Sequence, residues 1–99
     1  MALSAAFQDS EYISCFMEST EVRSNYWLSA LILDASTQQR MDALLALTND
    51  EGIMTRPLWI PLHQQTMYTR CPRMDLSVTD NLVQSVINIP SSASLGGRL

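Results

Sequence analysis

The sequence predicts an α+β fold: a small two-layer sandwich with a three-stranded, extendable to four-stranded, mostly antiparallel sheet and two helices on one face. Three observations predict it. The chain has 99 residues, enough for one domain with a modest core. Stretches of strand composition and of helical periodicity alternate along it. The strongest strand, 24–33, is apolar on both faces, so it must be covered on both.

In chain order, Ala2–Gln8 reads as a short helical piece. Residues 12–17 (YISCFM) have strand composition. In 24–33 (SNYWLSALIL), Tyr26, Leu28, Ala30 and Ile32 alternate with Trp27, Leu31 and Leu33. Ser36 or Thr37 can cap the helix that follows, where Met41, Leu44, Leu45 and Thr48 recur at helical spacing. Asn49-Asp50-Glu51-Gly52 ends it, with Gly52 free to take a left-handed conformation. Residues 53–58 read as a strand whose end lies at an edge, because Pro57 lacks an N–H. Residues 59–75 form a loop with one helical turn around His63–Met67. Ser77 can cap a second helix, with Val78, Leu82, Val83 and Val86 on one face, and Ile87-Asn88-Ile89 can add a fourth strand before Pro90. The small-residue tail, 91–99, reads as frayed.

A helical crossover between strands 24–33 and 53–58 favours a parallel relation between them. If strand 12–17 lies between the two, it is antiparallel to both. Helices on one face leave the other face of the sheet uncovered, and that face calls for another copy, another domain or the chain's own N-terminal segment.

Charge and composition narrow the functions. All six basic residues are arginine and lysine is absent, so no lysine amine is available for Schiff-base chemistry. The formal charge of −4 argues against nucleic-acid or anionic-membrane binding. No apolar run approaches the ~20 residues of a membrane span. The N-terminus lacks the features of a signal peptide, and Cys15 and Cys71 are too few for a disulfide framework. The expectation is a reduced, cytoplasmic protein. Cys15, His63 and Cys71 match no zinc spacing, so no metal is expected. A Cys–His nucleophile built from His63 with Cys71 or Cys15 has no local sequence support. No glycine-rich phosphate loop occurs.

The densest chemistry lies in 52–73 (GIMTRPLWIPLHQQTMYTRCPR), which gathers Arg56, Trp59, His63, Tyr68, Arg70 and Arg73. Arginine offers a planar fork for phosphate or carboxylate, the aromatics offer stacking faces, and His63 can exchange protons near neutral pH. The plainer reading has Trp59 and Tyr68 anchoring the loop to the core while the arginines are solvated.

Three motifs taken in order carry a resemblance: Asn-Tyr-Trp-Leu at 25–28, Gly-Ile-x-Thr-Arg-Pro-x-Trp-x-Pro-Leu-His at 52–63, and Asn-x-Pro-Ser-Ser at 88–92. Across residues 2–95 the chain resembles the C-terminal small domain of the DegT/DnrJ/EryC1/StrS family of pyridoxal-phosphate-dependent sugar-nucleotide aminotransferases. The resemblance implies a dimeric parent enzyme that moves an amino group, typically from glutamate, onto a nucleotide-linked keto sugar. In such a parent the cofactor, its Schiff-base lysine and most phosphate contacts belong to a large domain. It further implies a ligand-facing role for Arg56 and His63; with Trp59 of the same block they are the candidate substrate-binding residues. The stretch Gln65-Thr66-Met67-Tyr68 departs from the family's more usual proline-containing version. Residues 1–10 then read as a remnant of the interdomain helix, and 1–99 as a single small domain. The expectations are no catalytic residues, no cofactor of its own, and a homodimer through the face that would meet the large domain. A nucleotide-sugar-binding or interaction module acting with a full-length aminotransferase is the alternative.

Overall fold

The structure is a computed structural model, and it describes residues 2–92. The short N-terminal helix α1 spans Ala2–Ala6, and the edge strand β1 spans Ile13–Cys15. Strand β2 covers Ser29–Leu33. Two helices follow, α2 (Ala35–Gln38) and α3 (Met41–Asp50). Strand β3 is the pair Arg56–Pro57. Two 3-10 turns, Leu62–Gln64 and Thr66–Tyr68, lead to helix α4 (Ser77–Ser85) and strand β4 (Val86–Ile89).

The sheet has four strands in the order β1-β2-β4-β3, with every neighbouring pair antiparallel. The α+β expectation holds, and the optional fourth strand is present. β2 and β3 do run parallel, as a helical crossover favours. The strand between them is β4, however, and strand 12–17 lies at the edge instead. The reason is visible in register: Leu31 pairs with Ile87 and Ile32 with Val86, so the two most apolar strands zip together at the centre. Less apolar β1 and proline-bearing β3 take the edges, where missing donors cost nothing.

Several boundaries differ from expectation. Residues 24–28 are not strand, because Tyr26 adopts φ 48° and its hydroxyl accepts from the Glu18 N–H at 2.8 Å. The Glu18 carboxylate in turn accepts from the Ser24 N–H, closing a loop ahead of β2. Strand 53–58 shrinks to Arg56–Pro57 for a related reason: the chain is still turning out of α3. Gly52 has φ 83°, Ile53 N donates to Thr48 O at 2.8 Å and Gly52 N to Asn49 O at 3.1 Å. This is a Schellman ending, as Gly52 predicts.

The caps also move. Asp34, not Ser36 or Thr37, caps α2: its Oδ1 accepts from Thr37 N at 2.9 Å and from both hydroxyls, Ser36 at 2.8 Å and Thr37 at 2.7 Å. These bonds, led by the Thr37 hydroxyl, hold the Asp34 carboxyl below the usual carboxylate range. Ser77 is likewise inside α4, with Asp75 accepting from its N–H and hydroxyl. On α4 the expected face is only partly right, since Val78 is exposed while Thr79 and Val83 turn inward. Of the tail, Ser91 and Ser92 are described; 93–99 lie outside the described residues.

Cross-strand partners share a face, which divides the sheet cleanly. One face carries Ile13, Cys15, Leu31, Leu33, Ile87 and Ile89. Leu33 and Ile87 on it are 1% exposed and Leu31 is buried with them. α2 packs on β2 and on α4 to close this side. The other face carries Ser14, Ala30, Ile32, Val86, Asn88 and Arg56, extended by Tyr12 and Phe16 beside β1. There only Val86 is buried, and Tyr12 and Phe16 are more than half exposed. The radius of gyration, 15.4 Å, exceeds the ~13 Å of a compact chain this long, in keeping with a core built on one side.

Candidate functional site

The proline-punctuated segment after α3 is held by two polar networks, and they lie apart. The first joins the end of α3 to β3. Thr55 is 2% exposed; its hydroxyl meets that of Thr48 at 2.6 Å and accepts from Asn49 Nδ2 at 3.1 Å. Asn49 Nδ2 also reaches Leu45 O and Thr55 O. Asn49 Oδ1 accepts from Arg56 Nη1 at 2.9 Å, and Thr55 O accepts from the same nitrogen at 2.8 Å. No carboxylate among the described residues forms an ion pair with Arg56.

The second network fastens the 3-10 turns to α4. His63 Nε2 donates to Asp80 Oδ1 at 2.6 Å, and Gln64 Nε2 donates to the same oxygen at 3.0 Å. Arg73 donates to His63 O at 3.3 Å and to Thr69 O at 2.6 Å. The His63 hydrogen bond, then that of Gln64, holds the Asp80 carboxyl below the usual carboxylate range, with attraction from His63 and Arg73 adding to it.

Two clefts result. Arg56 and Trp59 line an open cleft of about 920 Å³ together with Trp27, Leu28, Met54 and Asn88. His63 lines a separate groove with Tyr68, Cys71, Arg73 and Leu76. Of the three residues singled out from sequence, the structure thus brings Arg56 and Trp59 together and sends His63 elsewhere. Pro57 and Pro61 and the 3-10 turns redirect the chain between them. Trp59 does not anchor the loop to the core: it is 82% exposed. The partners of Arg56 and His63 in these networks are Asn49 and Asp80. Asn49 had the signal of a helix stop only, and Asp80 lies 17 residues from His63 with nothing local to link them.

Cys71 and His63 share a groove, but the His63 Nε2 is taken by Asp80. Cys15 and Cys71 are free thiols. Among the described residues no three His, Cys, Asp or Glu side chains gather as a metal cluster would require. No helix among them is long and apolar enough to cross a membrane.

The profile of the DegT/DnrJ/EryC1/StrS aminotransferase family matches residues 1–98. The chain belongs to this family. It is 28% identical over 75 residues to a GDP-perosamine synthase of Vibrio cholerae, covering 75% of this chain and 20% of that enzyme. Its fold is similar to that of Helicobacter pylori PseC, an aminotransferase involved in the biosynthesis of pseudoaminic acid, with a TM-score of 0.77, 16% identity, and coverage of 88% of this chain and 24% of that one. It is also similar to the aminotransferase TlmJ from Streptoalloteichus hindustanus, with a TM-score of 0.74, 19% identity, and coverage of 94% and 25%. The chain therefore corresponds to about a fifth to a quarter of the length of these relatives.

Pyridoxal phosphate, which this family implies, does not fit the residues present. There is no lysine to receive it. The start of α4, a natural place for a phosphate, already has Asp75 on its first N–H. Arg73 spends both terminal nitrogens on backbone carbonyls.

Proposed function

We propose that this chain serves as the small-domain portion of a sugar aminotransferase, has no transaminase activity by itself, and acts by association in the cytoplasm. The observation that carries the reading is a family match over nearly the whole chain, joined to a composition without lysine. A portion without lysine is left structural, binding and assembly roles. The exposed face bearing Tyr12, Phe16 and Ile32 supports a homodimer, because an isologous contact covers that face on both copies at once. A full-length aminotransferase is the other partner of this reading.

The test is reductive trapping. After the N-terminal amine is blocked, the chain is mixed with pyridoxal phosphate and borohydride and weighed by mass spectrometry. No pyridoxyl adduct is expected. A stable adduct on a side chain would overturn the non-catalytic reading.

A second reading has one observation in its favour. Arg56, a cation with no ion-pair partner among the described residues, lines a cleft between two exposed tryptophans. This supports a ligand-facing surface for an anionic, ring-bearing molecule such as a nucleotide-sugar. Calorimetric titration with nucleotide-sugars decides it: heat that saturates supports the reading, and no heat at millimolar ligand sinks it.

A further inference from the structure

We propose that Asn49 and Thr55 form a bracket that positions Arg56 as the oxyanion-binding group of the Trp27–Trp59 cleft, which takes a carboxylate or phosphate borne on a flat ring. The proposal rests on the ligand-facing reading of this cleft and names the residues that make it work.

A guanidinium carries its N–H groups in a rigid fork. In Arg56 the Nη1 hydrogens go to Asn49 Oδ1 and Thr55 O. Nη2 and Nε have no partner among the described residues. A long side chain on an edge strand ordinarily spreads over many rotamers and loses that freedom when it binds. Here two acceptors on one nitrogen hold the plane, and the opposite edge of the fork is left for a ligand. That edge suits the paired oxygens of a carboxylate or phosphate.

The bracket is itself anchored. Asn49 donates to two backbone carbonyls and to the Thr55 hydroxyl. Thr55 is buried and bonded across to Thr48 on α3. An asparagine that only ended a helix would need none of the contacts to β3. The cleft walls complete the specificity. Trp27 and Trp59 are 71% and 82% exposed and both line the space beside Arg56, so a flat ring can stack while its anion meets the guanidinium. The cleft's size lies within the range of small-molecule sites. Asp50 and Glu51 follow Asn49 directly, and their charge holds the expected affinity to the millimolar range.

The chain's only tryptophans are the two in the cleft, so intrinsic fluorescence reports on it. The full chain is titrated with phenyl phosphate, with benzoate and with benzyl alcohol as the uncharged ring. Saturable quenching by an anion, roughly tenfold tighter than by the alcohol, is expected. Quenching by phenyl phosphate alone assigns a phosphate ligand, and quenching by benzoate alone a carboxylate; either supports the proposal. Asn49→Ala is expected to weaken the preferred anion several-fold and to add nothing in an Arg56→Ala background. Asn49→Asp keeps the acceptor but supplies a counter-charge and loses the Nδ2 donor bonds, so it is expected to bind weakly and to stay folded with a lower melting temperature. Circular dichroism confirms that each variant is folded; if Asn49→Ala is not, Asn49→Asp alone decides. No saturable quenching by either anion, or Asn49→Asp and folded Asn49→Ala binding as tightly as the parent, would overturn it. Reductive trapping and the oligomeric state are read without these probes, so either account can fail alone.

Discussion

Both faces of the sheet carry apolar residues, and they are buried to different degrees. On one, Leu31, Leu33 and Ile87 are buried beneath the helices. On the other, Tyr12 and Phe16 are exposed beside half-buried Ala30 and Ile32. Composition alone does not decide burial; the available cover does. The most deeply buried side chains of the sheet, Leu33 and Ile87, lie on one side. The closed face holds the fold, and the other, open face leaves Tyr12 and Phe16 exposed.

The largest expected effect lies on the closed face. Leu33→Ala should destabilise the chain by about 3 kcal/mol in urea titrations, since it opens a cavity beside Ile87 with nothing to fill it. Phe16→Asp on the open face should change the stability of the dilute monomer by less than about 0.5 kcal/mol. Equal losses from the two substitutions would erase the distinction between the faces.

Next comes the junction of α3 and β3. Thr55→Val keeps the shape but strips a buried hydroxyl of its bonds to Thr48 and Asn49, and should cost about 1–2 kcal/mol in the same titration.

Smaller effects follow from the two depressed carboxyls. Asp34 and Asp80 both titrate below their ordinary range in the folded chain. Their stabilisation is therefore complete above the unfolded value and is lost as pH falls through the folded one. Thermal melts should hold steady from neutral pH down to about pH 4 and fall below it. Asp80→Asn should flatten part of that decline and loosen the 3-10 turns that His63 fastens to α4. Asp34→Ala should lower the melting temperature by less than Leu33→Ala does, because it removes a cap and no core volume.

Much of the closed face was legible in sequence. Strand 29–33 announces itself by apolar residues at every position but the first, and α3 by Met41, Leu44, Leu45 and Thr48, all of which turn inward. Gly52 marks its own left-handed turn. The strand order was not legible, because four residues at 86–89 are too short to proclaim a central strand. Tyr26 at positive φ carries no sequence signal, and it cost the predicted strand its first half. In the candidate site, a single motif block holds Arg56, Trp59 and His63. Only three dimensions reveal that His63 lines a different groove from Arg56 and Trp59 and that Asn49 holds Arg56.

The most direct test of the account is sedimentation velocity of the chain across a dilution series, alongside Phe16→Asp. A reversible dimer that dissociates on dilution, and that Phe16→Asp abolishes without unfolding the monomer, is the predicted result. A monomer at every concentration, or a dimer indifferent to Phe16→Asp, would contradict the claim that the open face is where this chain acts.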